Sequence, residues 1–318
     1  MPPPASPRIA AILAALVLAL ISSPRVTSGA VVEPGDVLFS SSELHCLARV
    51  NASLDFECLP TPGISTQTQP TSIDFSLDGQ TIYFTASLKL WRMSPETGAI
   101  EVVAALPGFS FGQVIVTPSK LYCQGTSVGP GVVDSLRGDI YEVDPNTGDT
   151  THVVEGVLDP MAGTAFLGGQ FYQAMTDGHV DRIDPADGIR HPVPSNPGIS
   201  AVSDIVGTAQ GELWLIENHG AASPGRLIQI DPVSGVALDV ILHPDLRGAE
   251  DVSADDDGTL YVSASVGEAG SGAVSRHKPG GASSLVNAGH RPFCAAARPG
   301  ESTAARVVSW GRLKTIYR

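Results

Sequence analysis

Three short groups of polar residues are the candidates for chemistry in this sequence, because they combine carboxylate, amide, imidazole and guanidinium groups. They are Glu217-Asn218-His219, Glu250-Asp251 and His290-Arg291. Carboxylate and amide oxygens are the ligands that Ca²⁺ prefers, and a histidine beside a carboxylate suits acid–base chemistry. We therefore expect a ligand or metal site, with Ca²⁺ as the candidate cofactor. The competing interpretation is that these residues are solvated loop residues and turn caps.

The sequence contains none of the familiar catalytic motifs in its required context. The pattern G-x-S-x-G occurs at residues 108–112 and 125–129, but neither match is followed by the helical pattern that a nucleophile elbow requires, and a glycine-rich phosphate loop, H-E-x-x-H and C-x-x-C are absent. We therefore assign no catalytic residue, and the sequence leaves open whether the protein is an enzyme.

A turn sequence that recurs along the chain indicates the fold that must position these groups. Proline presets the first corner of such a turn, aspartate caps it, and glycine supplies the left-handed residue at its end. The prolines lie 50, 40, 47 and 47 residues apart. Repeats of 40–50 residues with about four short strands each are typical of β-propeller blades. The turns are Ser94–Gly98, Asp144–Gly148, Asp184–Gly188, Asp231–Gly235 and the degenerate Lys278–Gly281.

The number of blades follows from the innermost strands, of which each blade needs one. Six candidates are present: Thr71–Ser76, Gln113–Thr117, Gly163–Leu167, Ser203–Thr208, Asp251–Ala254 and Phe293–Ala297. We predict an all-β propeller of four-stranded antiparallel blades over residues 31–318, with six blades preferred and seven as the alternative.

The two ends of the chain are expected to close the ring. Gly35–Leu59 has the pattern of the second, third and outermost strands of a blade, without an innermost strand before it. Residues 306–318 align without a gap on residues 81–93, which form a second and third strand. The N- and C-terminal strands are therefore predicted to share one blade.

Strand direction sorts the connections onto two faces. The turns with proline lie on one face, here called the turn face. The longer connections lie on the other, the loop face: Gly125–Gly138, Asn218–Gly225, Ser265–Gly272 and Pro60–Pro70. Long loops on a rigid scaffold carry most binding residues, so we expect the site on the loop face near the axis. Asp134 belongs to this face. The residues predicted to face the axis where each innermost strand begins, here called the axis entries, are Ser72, Gln113, Met161, Ser203, Glu250 and Arg291.

The first 30 residues predict export. Arg8 precedes a 13-residue apolar run, Ile9–Ile21, and Ser28-Gly29-Ala30 offers a cleavage site. Thirteen residues are too few to span a bilayer, so we expect a secreted or periplasmic protein without a stable membrane anchor. Removing Arg8 and Arg25 leaves 17 basic residues against 33 acidic ones, a net charge of −16. This charge disfavours nucleic acid as a partner.

The four cysteines suit an oxidising compartment. A hairpin centred on residue 52 would place Cys46 directly opposite Cys58, so we predict a disulfide between them. Cys123 and Cys294 fall in distant repeats and are expected to be buried thiols.

The sequence resembles exported propellers of the NHL/SMP-30 (YVTN-like) type. Residues 249–264, AEDVSADDDGTLYVSA, and residues 71–86, TSIDFSLDGQTIYFTA, carry the resemblance. In the SMP-30/gluconolactonase branch it implies a divalent cation at the axis held by Glu, Asn and Asp. Only Glu250 and Asn218 match that set, and the other axis entries depart from it.

Two functions follow as hypotheses. The first is a non-catalytic binding or scaffold module that holds a protein, peptide, glycan or small molecule on its loop face. The alternative is a calcium-dependent SMP-30/gluconolactonase-like hydrolase of lactone or ester bonds. In either case we expect a monomer.

Overall fold

The computed structural model describes residues 31–299, apart from 42, 52, 62–63, 65–69, 128–137, 157–160, 195, 221, 268–270 and 289–291. The predicted signal segment, Asp134, His290, Arg291 and residues 306–318 therefore lie outside the described residues. No helix in the described part is long and apolar enough to cross a membrane.

Six four-stranded antiparallel sheets form the six blades of a β-propeller. The blades, written from the innermost strand outward, have the following strands. Blade 1 is β24 (Pro292–Ala297), β1 (Val37–Ser41), β2 (Cys46–Val50) and β3 (Phe56–Leu59). Blade 2 is β4 (Ser72–Phe75), β5 (Ile82–Ala86), β6 (Lys89–Met93) and β7 (Ile100–Ala104). Blade 3 is β8 (Phe109–Val116), β9 (Leu121–Ser127), β10 (Asp139–Val143) and β11 (Thr150–Val154). Blade 4 is β12 (Met161–Leu167), β13 (Gln170–Met175), β14 (Val180–Ile183) and β15 (Arg190–Val193). Blade 5 is β16 (Val202–Gly207), β17 (Leu213–Glu217), β18 (Arg226–Ile230) and β19 (Ala237–Leu242). Blade 6 is β20 (Ala249–Ala254), β21 (Leu260–Ala264), β22 (Ala273–His277) and β23 (Ser283–Ala288). A 3₁₀ turn, Pro244–Leu246, lies between blades 5 and 6.

The innermost strands contact one another in a closed order around the axis: β24, β4, β8, β12, β16, β20 and again β24. This order confirms six blades and the predicted all-β class. The ring closes as the sequence predicted, because β24 near the C-terminus pairs antiparallel with β1 near the N-terminus.

Apolar side chains fill the spaces between neighbouring blades. Trp214 is fully buried in one such layer, together with Leu246 of the 3₁₀ turn and Val262 of blade 6. The turn face is held by its aspartates: Asp231 Oδ1 accepts hydrogen bonds from the backbone N–H groups of Val233 and Ser234. The predicted structural role of these turns is thus confirmed.

Arg298, the residue that follows β24, joins that strand to the segment before β1 and to blade 2. Its side chain is almost fully buried and donates to the carbonyl oxygens of Gly79 and Val32 and to the carboxylate of Glu96. The backbone continues the contact, because Arg298 N donates to Asp36 O at 2.9 Å and Gly35 N donates to Arg298 O at 3.1 Å. Arg298 therefore links blade 1, blade 2 and the segment before β1 through its side chain and backbone.

The disulfide between Cys46 and Cys58 is present, with a Cα–Cα distance of 5.9 Å. The predicted register was wrong, because Cys58 lies opposite Ala48 and the two cysteines are diagonal neighbours. The turn is asymmetric: Asn51 Oδ1 accepts from the backbone of Ser53 and Asp55, and Leu54 has a left-handed φ of 65°. Cys123 and Cys294 are buried thiols, as predicted.

Candidate functional site

Glu217 is the centre of a buried polar cluster on the loop face, at the end of β17. Its side chain has no solvent exposure, although a buried carboxylate is stable only when charged or polar partners surround it. Oε1 accepts from Ser200 N at 2.6 Å, and Oε2 accepts from the Arg226 guanidinium. Arg226 also donates to Gly198 O at 2.8 Å. Glu217 thus fastens the connection between blades 4 and 5 to the strands of blade 5.

The neighbours of Glu217 in sequence extend this cluster. His219 Nε2 lies 3.3 Å from Glu217 Oε2, and its side chain is 32% exposed. Asn218 donates its backbone N–H to Ala201 O, and its side-chain oxygen accepts from Gly220 N, each at 2.8 Å. The oxygens of Glu217 and Asn218 that were candidate ligands are therefore engaged in bonds that shape the loop.

Ala201, which receives the Asn218 bond, has a left-handed φ of 51° in the connection between β15 and β16. This conformation costs an L-residue with a Cβ about 1–2 kcal/mol, and such local strain clusters at binding and catalytic sites. The Glu217 and Asn218 bonds hold the strained residue in place.

Glu250 and Asp251 have different surroundings although they are adjacent on β20. Glu250 is half-buried, and its Oε1 lies 2.9 Å from the hydroxyl of Ser265, which is also 3.1 Å from Gly248 O. Asp251 instead faces the neighbouring innermost strand and accepts from Ala295 N at 3.1 Å. Glu250 and Asp251 therefore serve different neighbours although they are adjacent in sequence.

Asp251 belongs to a set of side chains that link the innermost strands. Ser72 Oγ accepts from Val114 N, Gln113 Oε1 from Thr164 N, Asp204 Oδ2 from Val252 N, and Asp251 Oδ2 from Ala295 N, at 2.8–3.1 Å. Gly163 and Cys294 occupy the corresponding positions in β12 and β24. We call Ser72, Gln113, Gly163, Asp204, Asp251 and Cys294 the axial ring.

Gly163 and Cys294, the two residues of the axial ring that accept no backbone hydrogen bond from the next blade among the described residues, fit closely against their neighbours. A Cβ on Gly163 would clash with the carboxylate of Asp204, so glycine leaves the space in which that carboxylate lies. Cys294 Sγ lies 3.2 Å from Ser40 Oγ, and burial raises the pKa of this thiol. Gly163 is thus explained by the carboxylate packed against it, and Cys294 by its contact with Ser40 of β1.

The axial ring corrects the predicted axis entries. Ser72 and Gln113 were right, but Asp204 replaces Ser203, Asp251 replaces Glu250, and Gly163 replaces Met161. The cause is a β-bulge near the start of the innermost strands, seen between Val202 and Asp204 and again between Ala249 and Asp251. One extra residue reverses which side chains face inward. Asp74 and Asp204 were missed altogether, although both are acidic residues inside predicted innermost strands.

The axial carboxyl groups hold protons more tightly than ordinary aspartates. Burial raises the pKa of Asp74 to about 7. Burial also raises the pKa values of Asp204 and Asp251, and these two carboxyl groups are hydrogen-bonded to each other. A bond between two carboxyl groups requires a proton, so the pair carries one negative charge rather than two over a wide pH range.

Asp204→Asn is expected to reduce the amount of stability that the protein loses as the pH rises from 5 to 8. A carboxyl group whose folded pKa lies above its unfolded value stabilises the fold below the unfolded pKa, and this contribution is lost as pH rises through the folded pKa. The amide keeps the acceptor for Val252 N–H and offers an N–H to Asp251. The decrease in unfolding free energy from pH 5 to 8 should shrink by about 1–3 kcal/mol. Urea denaturation at both pH values measures it, with the exposed Asp239→Asn as control. Equal pH slopes in wild type and Asp204→Asn would contradict the shared proton.

No group of three or more His, Cys, Asp or Glu side chains is arranged to hold a metal ion within the described part of the chain. His290, Arg291 and Asp134 lie outside it. What the described geometry provides is a loop cluster around Glu217 and an axial ring that links blades.

Comparison with known proteins supports the fold. No family model matches the sequence, and no curated protein matches it significantly. A protein of unknown function from Bacteroides caccae is similar in structure, with a TM-score of 0.57 and 13% identity over 83% of this chain and 98% of its own. A calcium-binding protein, regucalcin, from Agrobacterium tumefaciens has a TM-score of 0.52 and 15% identity, covering 74% and 82% of the two chains. YCF48 bound to a D1 peptide has a TM-score of 0.51 and 13% identity, covering 82% of each chain. The resemblance to SMP-30-type propellers is confirmed at the level of the fold, which is all that such identities establish.

Proposed function

We propose that the protein is an exported, non-catalytic binding module that holds a peptide segment of a protein partner on its loop face. The observation that carries this proposal is the Glu217 cluster, in which a buried carboxylate has its charge and hydrogen-bonding capacity taken up by Arg226, His219 and Ser200 N–H. A carboxylate whose oxygens are all hydrogen-bonded in this way makes the surface above it rigid and is not free to react with a substrate. Loops held rigid before binding lose less entropy when a partner binds.

The surface above this cluster is suited to an extended polar chain. Ser200 adjoins the strained Ala201 and is exposed, and His219 is partly exposed beside the buried carboxylate of Glu217. Hydroxyl, imidazole and backbone groups bind amides without a large desolvation cost. The acidic protein also favours approach of a neutral or basic peptide. YCF48, whose fold is similar, is bound to a peptide in its solved structure.

Selection from a random peptide library displayed on phage tests the proposal directly. Ala222 is exposed in the loop that follows β17. We expect peptides that bind wild type and lose at least tenfold in affinity for Ala222→Trp, because the new side chain covers the loop face. The matched control is Val233→Trp, since Val233 is 69% exposed on the turn face and should leave binding unchanged. Failure to select any peptide, or equal losses in both variants, would overturn the proposal. The same variants on a glycan array test glycans as the competing ligand class.

The alternative proposal is a calcium-dependent hydrolase of lactone or ester bonds. The observation that favours it is the set of axial carboxyl groups of Asp74, Asp204 and Asp251, together with the fold shared with regucalcin. Two observations disfavour the hydrolase. Ca²⁺ binds ionised carboxylates, whereas the raised pKa values of the three aspartates mean that protons must be released before the ion can bind. Backbone N–H groups also occupy one oxygen of each. The hydrolase is therefore the second candidate.

A further inference from the structure

His277 occupies a position at which every other blade has a buried apolar residue. It is the last residue of the third strand of blade 6, and its counterparts are Val50, Met93, Val143, Ile183 and Ile230, each at most 2% exposed. His277 itself has no solvent exposure. An imidazole in a site otherwise reserved for apolar side chains needs a specific reason, because burying a polar group costs free energy unless it is hydrogen-bonded.

Two hydroxyl groups and a second imidazole surround His277. Its Nε2 lies 2.7 Å from Ser275 Oγ and its Nδ1 lies 2.8 Å from Ser283 Oγ. The ring of His243, in the connection between blades 5 and 6, packs edge-on against it with centroids 5.3 Å apart. A hydroxyl both donates and accepts, so this environment satisfies a neutral imidazole completely.

His243 caps the turn that follows it through one of its ring nitrogens. Its Nδ1 accepts from Asp245 N at 3.3 Å and caps the 3₁₀ turn Pro244–Leu246. A nitrogen that accepts a hydrogen bond carries no proton, so protonation of Nδ1 removes the cap. Two cationic rings in contact would also repel each other.

The charged groups near His277 do not compensate a positive charge on it. The connection contributes His243 and Asp245, and Asp245 faces His243 at 3.5 Å. The cross-strand neighbours of His277 are Leu260 and Ser283, which carry no charge. On β22 itself, Arg276 donates to Ser284 and the adjoining Lys278 pairs with Asp257. Consistently, burial and then the charge of His243 lower the pKa of His277 to about 4.

The connection that carries His243 is bonded to described residues of two of the long connections on the loop face. Gly225 N donates to Leu246 O at 3.1 Å, Gly267 N to Arg247 O at 2.8 Å, and Ser265 N to Gly248 O at 2.8 Å. Whatever displaces residues 243–248 therefore breaks the bonds that hold Gly225, Ser265 and Gly267.

We propose that His277, packed against His243, forms an acid-sensitive latch between blades 5 and 6, which holds residues 243–248 and the bonded residues Gly225, Ser265 and Gly267 in place while the His277 imidazole is neutral and releases them when it is protonated. The latch controls the shape of the loop face whatever that face binds. A histidine with a depressed pKa in the folded state leaves stability intact above the unfolded pKa and reduces it as pH falls from there towards the folded pKa. The window of the latch is thus pH 6.5 down to 4.

Hydrogen–deuterium exchange at pH 7 and pH 4.5, corrected for intrinsic rates, tests the latch without any ligand. With closed and open pKa values of about 4 and 6.5, the amides of Gly225, Leu246 and Gly267 should lose about 50-fold in protection. Amides of blade 2 should change little. The axial carboxyl groups act in the opposite direction over this pH range, so the comparison between variants isolates the imidazole.

His277→Leu restores the apolar residue type of the other blades and should reduce this loss to less than fivefold. His277→Ile is the second variant should the first not fold, and near-ultraviolet circular dichroism at both pH values verifies folding. His191→Gln, an exposed histidine on β15, should retain the wild-type response. Unchanged protection in wild type at pH 4.5, or the same loss in the folded His277 variant, would overturn the latch.

Discussion

Glu217→Ala is expected to lower the free energy of unfolding by about 3–5 kcal/mol, because it leaves the partly buried Arg226 without its carboxylate. The substitution also removes the acceptor for Ser200 N–H and one partner of His219. Among the described residues, the Arg226 guanidinium then keeps its bond to Gly198 O. Chemical denaturation with urea measures the change.

Two further variants separate the ion pair from general damage to the loop. His219→Ala removes only the partly exposed partner and should cost less than about 1 kcal/mol. Glu217→Gln combined with Arg226→Met removes both charges and should recover part of the loss, since an apolar replacement of both partners is often neutral. A cost below about 1 kcal/mol for Glu217→Ala would show that this carboxylate does not hold the loop face together.

Arg298→Ala is expected to cost about 2–4 kcal/mol and to loosen the closure of the ring. Its guanidinium group is the shared partner of Gly79 in blade 2, Val32 in the N-terminal segment and Glu96 in the turn of blade 2. Loss of the side chain leaves two buried carbonyl oxygens unsatisfied. Limited proteolysis should then cleave the segment around residues 31–36 earlier than any blade.

The control for this closure is Glu96→Gln, because Glu96 is 53% exposed and its ion pair with Arg298 is open to solvent. That change should stay within about 0.5 kcal/mol of wild type. If Arg298→Ala and Glu96→Gln have equal effects, the burial of Arg298 is not what links the segment before β1 to blades 1 and 2.

The sequence predicted the propeller well because its evidence is local and repeated. The Asp-Pro-x-x-Gly turns and their spacing indicate blades regardless of which residues pack together. Ring closure through Gly35–Leu59 could be inferred for the same reason, since a missing innermost strand shows in the pattern. The pairing of Cys46 with Cys58 was also accessible, although Leu54 in a left-handed conformation shifted the register.

The candidate site was predicted less well, because it depends on one-residue details of strands that a pattern does not reveal. A bulge at Ser203 turns Asp204 inward, and another at Glu250 does the same for Asp251. Arg226 was not recognised as the partner of Glu217, since the two are joined by pairing of β17 with β18 rather than by sequence proximity. His277 lies in a degenerate repeat and was not singled out. Alignment of that repeat with Ile183 and Ile230 would have shown a histidine at a position that is otherwise apolar.

A calcium titration followed by thermal unfolding tests most directly whether the carboxyl groups of this protein serve the fold or a metal. We predict that the melting temperature of wild type changes by less than about 1 °C up to about 1 mM Ca²⁺ at pH 7. A site with a dissociation constant of about 10 µM would instead add about 2.7 kcal/mol of stability, or about 5 °C. A rise of that size in wild type and in Asp239→Asn, absent in Asp251→Asn, would contradict the binding-module account and establish a calcium site at the axis.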